Sequence, residues 1–302
     1  MIPSTDLYVT AGRGTIESLA TILSLKDAIQ QYVHDGAVMA LEGFTHLIPF
    51  AAGHEIIRQK RRNLSVIRMT PDLIYDQLIG AGCVSKLQFS WGGNPGVGSL
   101  HRLRDAVENG WPRPLEIVEH AHAGMAAAYA AGASNLPFGM LRGYLGSDLP
   151  NYNPQIKFIE CPFTGERLAA IPAIRPDVTI IHAQKADHRG NVLMWGVTGV
   201  QKEAVMAAKR AIVTVEELVT HLDAPPNAVV LPSWVVAAVC EVKGGAFPSY
   251  AQGYYPRNNA FYKAWDAIAR ERDSFQDWIE RYVLNTRDFD EFRKTLEAGA
   301  HV

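Results

Sequence analysis

One stretch constrains this chain more than any other: Val178-Thr-Ile-Ile-His182-Ala-Gln184-Lys185-Ala-Asp187-His-Arg-Gly190-Asn191-Val192-Leu-Met-Trp195. It opens with the apolar run Val178 to Ile181, the pattern of a strand buried on both faces of a parallel sheet. It then turns polar at once, and α/β proteins place ligands beyond the carboxyl ends of such strands. His182, Gln184, Lys185 and Asp187 are expected just past that end. Gly190 and Asn191 can take positive φ and mark a tight turn. Val192 to Trp195 reads as a returning extended run.

The same alternation recurs along the chain. Ser24 with Asp27 three residues later is a helix-capping pattern, and Ala28, Ile29, Tyr32 and Val33 give the helix that follows one apolar face. Ala37 to Leu41, Leu64 to Met69, Val84 to Phe89 and Leu115 to Val118 read as further strands. Helices over 49–59, 72–80, 100–109 and 125–132 lie between or after them. Ile156 to Glu160 and Leu168 to Ile171 form an expected hairpin laid on the main sheet. Arg210 to Val215 is a strand, with Glu216 to Val219 a helix or turn after it. From Phe261 to Leu296 the spacing of Trp265, Ile268, Phe275, Trp278, Ile279, Tyr282 and Val283 predicts helices with one buried face. The pattern is that of an open α/β fold with a mostly parallel twisted sheet, flanking helices and a C-terminal helical segment. Residues 1–23 read as a loose N-terminal extension, 24–296 as one α/β domain and 297–302 as a tail.

Charge and cysteine usage exclude several classes. A formal net charge of −2 gives no bulk attraction to nucleic acid or to an anionic membrane. No run of eighteen apolar residues is present, so no membrane span is expected. Three widely spaced cysteines without a Cys-x-x-Cys pair argue against a disulfide framework and for a reducing, cytoplasmic compartment.

Polar loops at predicted strand ends are the candidate site. Glu42-Gly43-Phe44-Thr45-His46 leaves the first strand, and its lone glycine is no dinucleotide fingerprint. Ser90-Trp91-Gly92-Gly93-Asn94-Pro95-Gly96-Val97-Gly98 is the most glycine-dense segment, so its backbone takes special angles or approaches something closely. It is a long turn or a substrate loop. Glu119-His120-Ala121-His122 follows another strand. Its two histidines, two residues apart and with no third ligand nearby, fit a strand tip or a cap better than a metal site. Most of the glutamates near strand ends, Glu42, Glu119, Glu160, Glu216 and Glu217, are expected to be solvated or salt-bridged. Glu119 is the exception, because Ile117 and Val118 before it would bury it and raise its pKa toward acid–base use.

Several segments, in order, resemble the A (alpha) subunits of the family I coenzyme A transferases, most closely the glutaconate CoA-transferase branch. They are Ser24 to Gly36, Ala40 to Thr45, Gly80 to Val84, Gly96-Val97, Leu136-Pro-Phe138, His182 to Asp187 with Gly190-Asn191, Trp195-Gly196, Ile212 to Glu217, and Gly244-Gly-Ala-Phe-Pro-Ser249. Each is weak alone, but together they cover about residues 24 to 296. The resemblance implies a partner B (beta) subunit in an α2β2 heterotetramer, and transfer of CoA from an acyl-CoA to a dicarboxylic or 3-oxo acid. It implies a nucleophilic glutamate on the B chain that passes through a glutamyl-CoA thioester. No Ser-Glu-Asn-Gly motif occurs here, which agrees with the alpha type of chain. CoA enters as substrate, and no permanently bound cofactor or metal is implied. Gly43, Phe44, Thr45, Gly93, Asn94, Pro95, Gly96, Val97, His120 and His122 are the expected substrate or CoA contacts, with Glu119 the candidate acid–base residue on this chain. The alternative is a CoA-thioester-dependent hydrolase or decarboxylase on the same scaffold, including ring-opening enzymes. A noncatalytic sugar- or acyl-CoA-binding regulator is a third reading.

Overall fold

The computed structural model describes residues 20–94 and 97–299 of the chain. In chain order the first part runs β1 (Thr21–Ile22), α1 (Leu25–Tyr32), β2 (Val38–Glu42), α2 (Phe50–Arg58), β3 (Leu64–Ile67), α3 (Leu73–Gly80), β4 (Val84–Phe89), α4 (His101–Glu108) and β5 (Glu116–Glu119). The middle adds α5 (His122–Ala133), β6 (Phe138–Leu141), α6 (Leu149–Tyr152), β7 (Lys157–Glu160), β8 (Arg167–Pro172), β9 (Val178–Asp187) and β10 (Val192–Met194). The last part is α7 (Gln201–Ala207), β11 (Arg210–Val219), β12 (Val229–Leu231), β13 (Ala238–Glu241), α8 (Asn259–Arg270), α9 (Arg272–Ile279) and α10 (Phe289–Gly299).

The main sheet has the order β1-β13-β11-β9-β2-β3-β4-β5, with every pair along this path parallel. The open α/β fold expected from the sequence is therefore the one observed. Ser24 caps α1 as expected: its Oγ accepts from the Asp27 N–H at 3.1 Å and donates to the Asp27 carboxylate at 2.6 Å.

Four expectations are corrected. Strand β9 does not stop at Ile181 but continues to Asp187, because β11 pairs with it in register from Arg210↔Val178 to Val219↔Asp187. Glu216 to Val219 is correspondingly strand, not helix or turn. The polar residues stay in the sheet because each finds a partner inside. His182 meets Thr214 and Glu216, and Gln184 pairs with the Trp195 main chain through both its Oε1 and Nε2. The hairpin β7–β8 joins β6 in a separate antiparallel sheet, order β6-β8-β7. This small sheet leans on α5 at van der Waals range, since a side chain at Gly124 would strike Ile171 of β8 and one at Gly139 of β6 would strike the Ala127 carbonyl. Thr21 and Ile22 pair with β13 instead of belonging to a loose extension. Residues 1–19 and 300–302 lie outside the described residues.

The C-terminal helices bury one face, as their spacing predicted. Trp265 is fully buried and packs edge-on against Trp278 and Phe275, with ring centroids 4.9 and 5.9 Å away. Its indole N–H donates to the buried Asp76 carboxylate at 3.1 Å, and the same carboxylate accepts from the Arg102 and Leu103 N–H groups. Asp76 thus ties α3 to α4 and α8. Two cysteines, Cys83 and Cys240, are also buried, and burial pushes their thiols up to about 11 and about 12. Among the described residues no helix is long and apolar enough to cross a membrane.

At the carboxyl end of β2 a second buried carboxyl joins three elements. Glu42 Oε1 accepts from the Tyr129 hydroxyl of α5 at 2.7 Å and from the Met69 N–H after β3 at 3.1 Å. Burial raises Glu42 from 4.5 to about 7, against the pull of the neighbouring Arg68 guanidinium. The folded state therefore holds this proton more tightly than the unfolded chain, and stability falls as pH climbs from about 4.5 to about 7. Glu42→Gln keeps the accepting oxygen but cannot ionise. Its advantage over the wild type should grow between pH 5 and pH 8 by on the order of 3 kcal/mol at most, read from denaturant midpoints. Trp265→Ala should cost about 3–5 kcal/mol by the same measurement at any one pH.

Candidate active site

The carboxyl ends of β2, β3, β4 and β5 lie side by side, and the loops leaving them interlock. From β3 to β4, Pro71 O accepts from the Gly93 N–H at 3.1 Å and Met69 O from the Ser90 hydroxyl at 2.7 Å. From β4 to β5, Phe89 O accepts from the His120 N–H at 2.8 Å, and Ser90 Oγ meets His122 Nδ1 at 3.2 Å. With the Glu42–Met69 contact these bonds make one continuous rim.

The first loop is held in an unusual shape. Thr45 and Leu47 both sit in the left-handed region, at φ 57° and 52°. Non-glycine residues in this region carry strain that the surroundings must hold in place. At Gly43 the chain doubles back so closely that a Cβ would lie 2.8 Å from the Leu47 carbonyl oxygen, so only glycine fits. His46 fastens the bend from beneath: its Nδ1 donates to Val197 O at 2.9 Å and its Nε2 accepts from the Gln252 N–H at 3.0 Å. Those two bonds fix a neutral tautomer, and burial holds the ring below its usual pKa. The Ser249 hydroxyl donates to Thr45 O at 2.8 Å, and Phe44 packs on Gly199.

In the second loop Gly93 lies under the Trp91 ring, where a Cβ would come within 2.9 Å of the indole. Asn94 is 4% exposed, and neither atom of its amide has a hydrogen-bond partner among the described residues. Val97 packs its side chain on the main core, and its N–H donates to Asn94 O. Pro95 and Gly96, also expected at the site, lie outside the described residues.

The third loop divides its residues. Glu119 is exposed, so the burial expected from Ile117 and Val118 is absent; those two side chains are themselves partly or fully open to solvent at this edge of the sheet. The Glu119 main-chain carbonyl accepts from the Asn153 amide at 2.8 Å. His120 is 1% exposed, lies beside Asn153 and the Tyr144 hydroxyl, and is pushed down to about 4 by burial. It is neutral at neutral pH and faces inward. His122 is exposed and opens α5. The two histidines thus do not converge, and among the described residues no group of three or more His, Cys, Asp or Glu could hold a metal ion.

A further buried network backs the rim. His182 Nε2 meets Glu216 Oε1 at 2.7 Å, Tyr255 donates its hydroxyl to the same oxygen at 2.5 Å, and the Gly244 N–H donates to Oε2 at 2.7 Å. Burial alone would raise Glu216, but the hydrogen bond and charge of His182 outweigh it and hold the carboxyl below the usual carboxylate range. The Glu42 carboxyl, expected to be solvated or salt-bridged, is instead 2% exposed. Sequence reasoning also passed over Ser90, Tyr129, Tyr144 and Asn153. Ser90 had a signal, since it sits at the junction of a strand and the glycine-dense loop. The other three act across 23 to 87 residues of chain, and nothing local marks them.

The family described as Coenzyme A transferase matches residues 22–242. The chain is 65% identical over 281 residues to the A subunit of 3-oxoadipate CoA-transferase from Pseudomonas knackmussii, covering 93% of this chain and 100% of that one. The crystal structure of glutaconate coenzyme A-transferase from Acidaminococcus fermentans superposes with a TM-score of 0.85 at 32% identity, covering 93% and 94% of the two chains. The crystal structure of a variant of the decarboxylase AibA/AibB superposes with a TM-score of 0.77 at 30% identity, covering 87% and 99%. This chain belongs to the coenzyme A transferase family.

Proposed function

We propose that this chain is the A subunit of a two-subunit CoA-transferase acting on a dicarboxylic 3-oxo acid of the 3-oxoadipate kind. The 65% identity across the full length of the Pseudomonas knackmussii chain carries the reading. The rim agrees with half of a shared site. Its carboxyls are poor nucleophile candidates, Glu42 being enclosed and Glu119 lying open to water. A B subunit would supply the glutamate that attacks the acyl-CoA thioester, forming an acyl-glutamyl anhydride and releasing CoA thiolate. The thiolate attacks the anhydride at the glutamyl carbonyl, giving a glutamyl-CoA thioester and freeing the first acid. The incoming carboxylate then takes CoA by the same steps in reverse.

In this reading Gly43, Phe44, Thr45, Gly93, Asn94, Val97 and His122 line the shared site, and His120 stands behind it. The pinned loops with αL residues serve as preformed walls that lose little freedom when substrate arrives. The assembly would be an α2β2 heterotetramer in the cytoplasm, in keeping with three free cysteines. CoA enters and leaves as a substrate.

The match to AibA/AibB favours a second reading, a CoA-thioester decarboxylase or hydrolase with its acid–base group on this chain. Co-expression with the B chain and assay of the purified complex separates the two. CoA appearing on the added acid, and no free CoA without it, is the expected result. Glu119→Gln should then leave the transfer rate within about threefold of wild type, because surface carboxylates contribute little. Release of free CoA or carbon dioxide without an acceptor, lost in Glu119→Gln, would establish the second reading.

A further inference from the structure

Four loops form the rim, and a dicarboxylic acid presents them with a second carboxylate that takes no part in the transfer. Among the described residues of 43–49, 68–72, 90–100 and 120–122, the groups able to carry positive charge are His46, Arg68, His120 and His122. Arg68 is fully buried and bonded to Asp72 and to the Leu41 and Thr70 carbonyls. His46 and His120 are buried, and both are held below the usual histidine range by burial. His122 is the exposed one.

Its ring orientation follows from proton counting. The Ser90 hydroxyl has one proton, and at 2.7 Å from Met69 O that proton is committed to the carbonyl. At 3.2 Å from His122 Nδ1, the same oxygen can then only accept. Nδ1 therefore carries hydrogen, and Nε2 is the nitrogen left for a ligand. The serine is itself fixed, since Met69 O also accepts the N–H groups of Ser90 and Trp91, and the Met69 N–H is bonded to Glu42. Glu42 in turn accepts from Tyr129, one helix with His122. The bonds close a ring: α5, Glu42, Met69, Ser90, and back to α5.

We propose that His122 is a specificity-determining residue of this transferase, its Nε2–H binding the non-reacting carboxylate of a dicarboxylic acid, with Ser90 as the positioning residue that sets the ring. An arriving carboxylate favours the protonated imidazole, which donates from Nε2 while Nδ1 stays on Ser90. The inference rests on the transferase reading above and deepens it.

The test uses the assembled two-subunit enzyme and two acceptors: 3-oxoadipate, and the same acid with its far carboxylate replaced by methyl. The measured quantity is the ratio of kcat/KM for the two acids. His122→Ala should lower that ratio by roughly ten- to hundredfold, the range of a charge-assisted hydrogen bond. His122→Lys should restore part of it, and Ser90→Ala should lower it less than His122→Ala does. A ratio that stays at the wild-type value in His122→Ala overturns the proposal, as does a fall that His122→Lys does not reverse at all. If the wild-type complex moves CoA to neither acid, the transferase reading itself fails. That result is distinct from retained transfer without discrimination.

Discussion

Everything at the rim depends on one requirement: polar side chains carried inside the sheet must each find a partner there. Strand β9 lies between β2 and β11 and holds His182 and Gln184 at positions fully closed to water. A buried polar group left unpaired costs about 1–3 kcal/mol, and a buried charge more. His182 is answered by Thr214 and Glu216 of the neighbouring strand. Glu216 then has lone pairs left, and it takes Tyr255 and Gly244 to fill them. That draws residues 244–255 over the end of the sheet, where Ser249, Tyr250 and Gln252 reach Thr45, Leu47 and His46. A hydrogen-bonded histidine and carboxyl deep in the sheet are in this way the origin of a surface loop's shape.

The parallel sheet was legible because its strands are apolar runs and its helices have one apolar face. The cap at Ser24 was legible because its partner is three residues away. The end of β9 was misplaced for the opposite reason. His182, Gln184, Lys185 and Asp187 are polar, and polarity alone reads as exposure. Their partners Thr214 and Glu216 lie 32 and 34 residues beyond His182. The second half of β11 was lost with them, since Glu216 and Glu217 look solvated until His182 and Lys185 are set opposite. The small sheet was half seen: β7 and β8 carried a turn signal between them, but β6 follows Leu136-Pro137 and offers only four residues. At the site, glycine density located the loop after β4. It could not show that Glu119 would stand open while Glu42 is enclosed, because that depends on which strand is at the edge. β5 is the edge strand, and β2 is central.

The chain divides its tasks by rigidity. One part of the rim, Gly43 to Leu47, is pinned from below through main-chain and histidine bonds and offers few side chains able to react. The other part, around Ser90 and His122, is polar and reaches solvent. A shared site benefits from such a division, since a wall that does not move lets a partner's reactive group be placed by docking alone. Beneath this wall Glu42 and Asp72 are buried around Arg68: burial raises both acids, and Arg68 limits the rise.

The burial of Cys83 and Cys240 bears on the chemistry in a different way. Acyl-CoA thioesters and acyl anhydrides are electrophiles, and a thiolate within reach would take the acyl group and keep it. Both of these sulfurs are sealed in the core with their protons held well above neutral pH, so neither offers a competing acceptor. Cys161 differs. It sits in the turn between β7 and β8, where hydrogen bonds from Thr164 and the Phe163 main chain hold its thiol below the usual cysteine value. Alkylating reagents applied at neutral pH therefore meet one responsive sulfur, on the small sheet, and a dye or crosslinker attached to the native protein reports from that position.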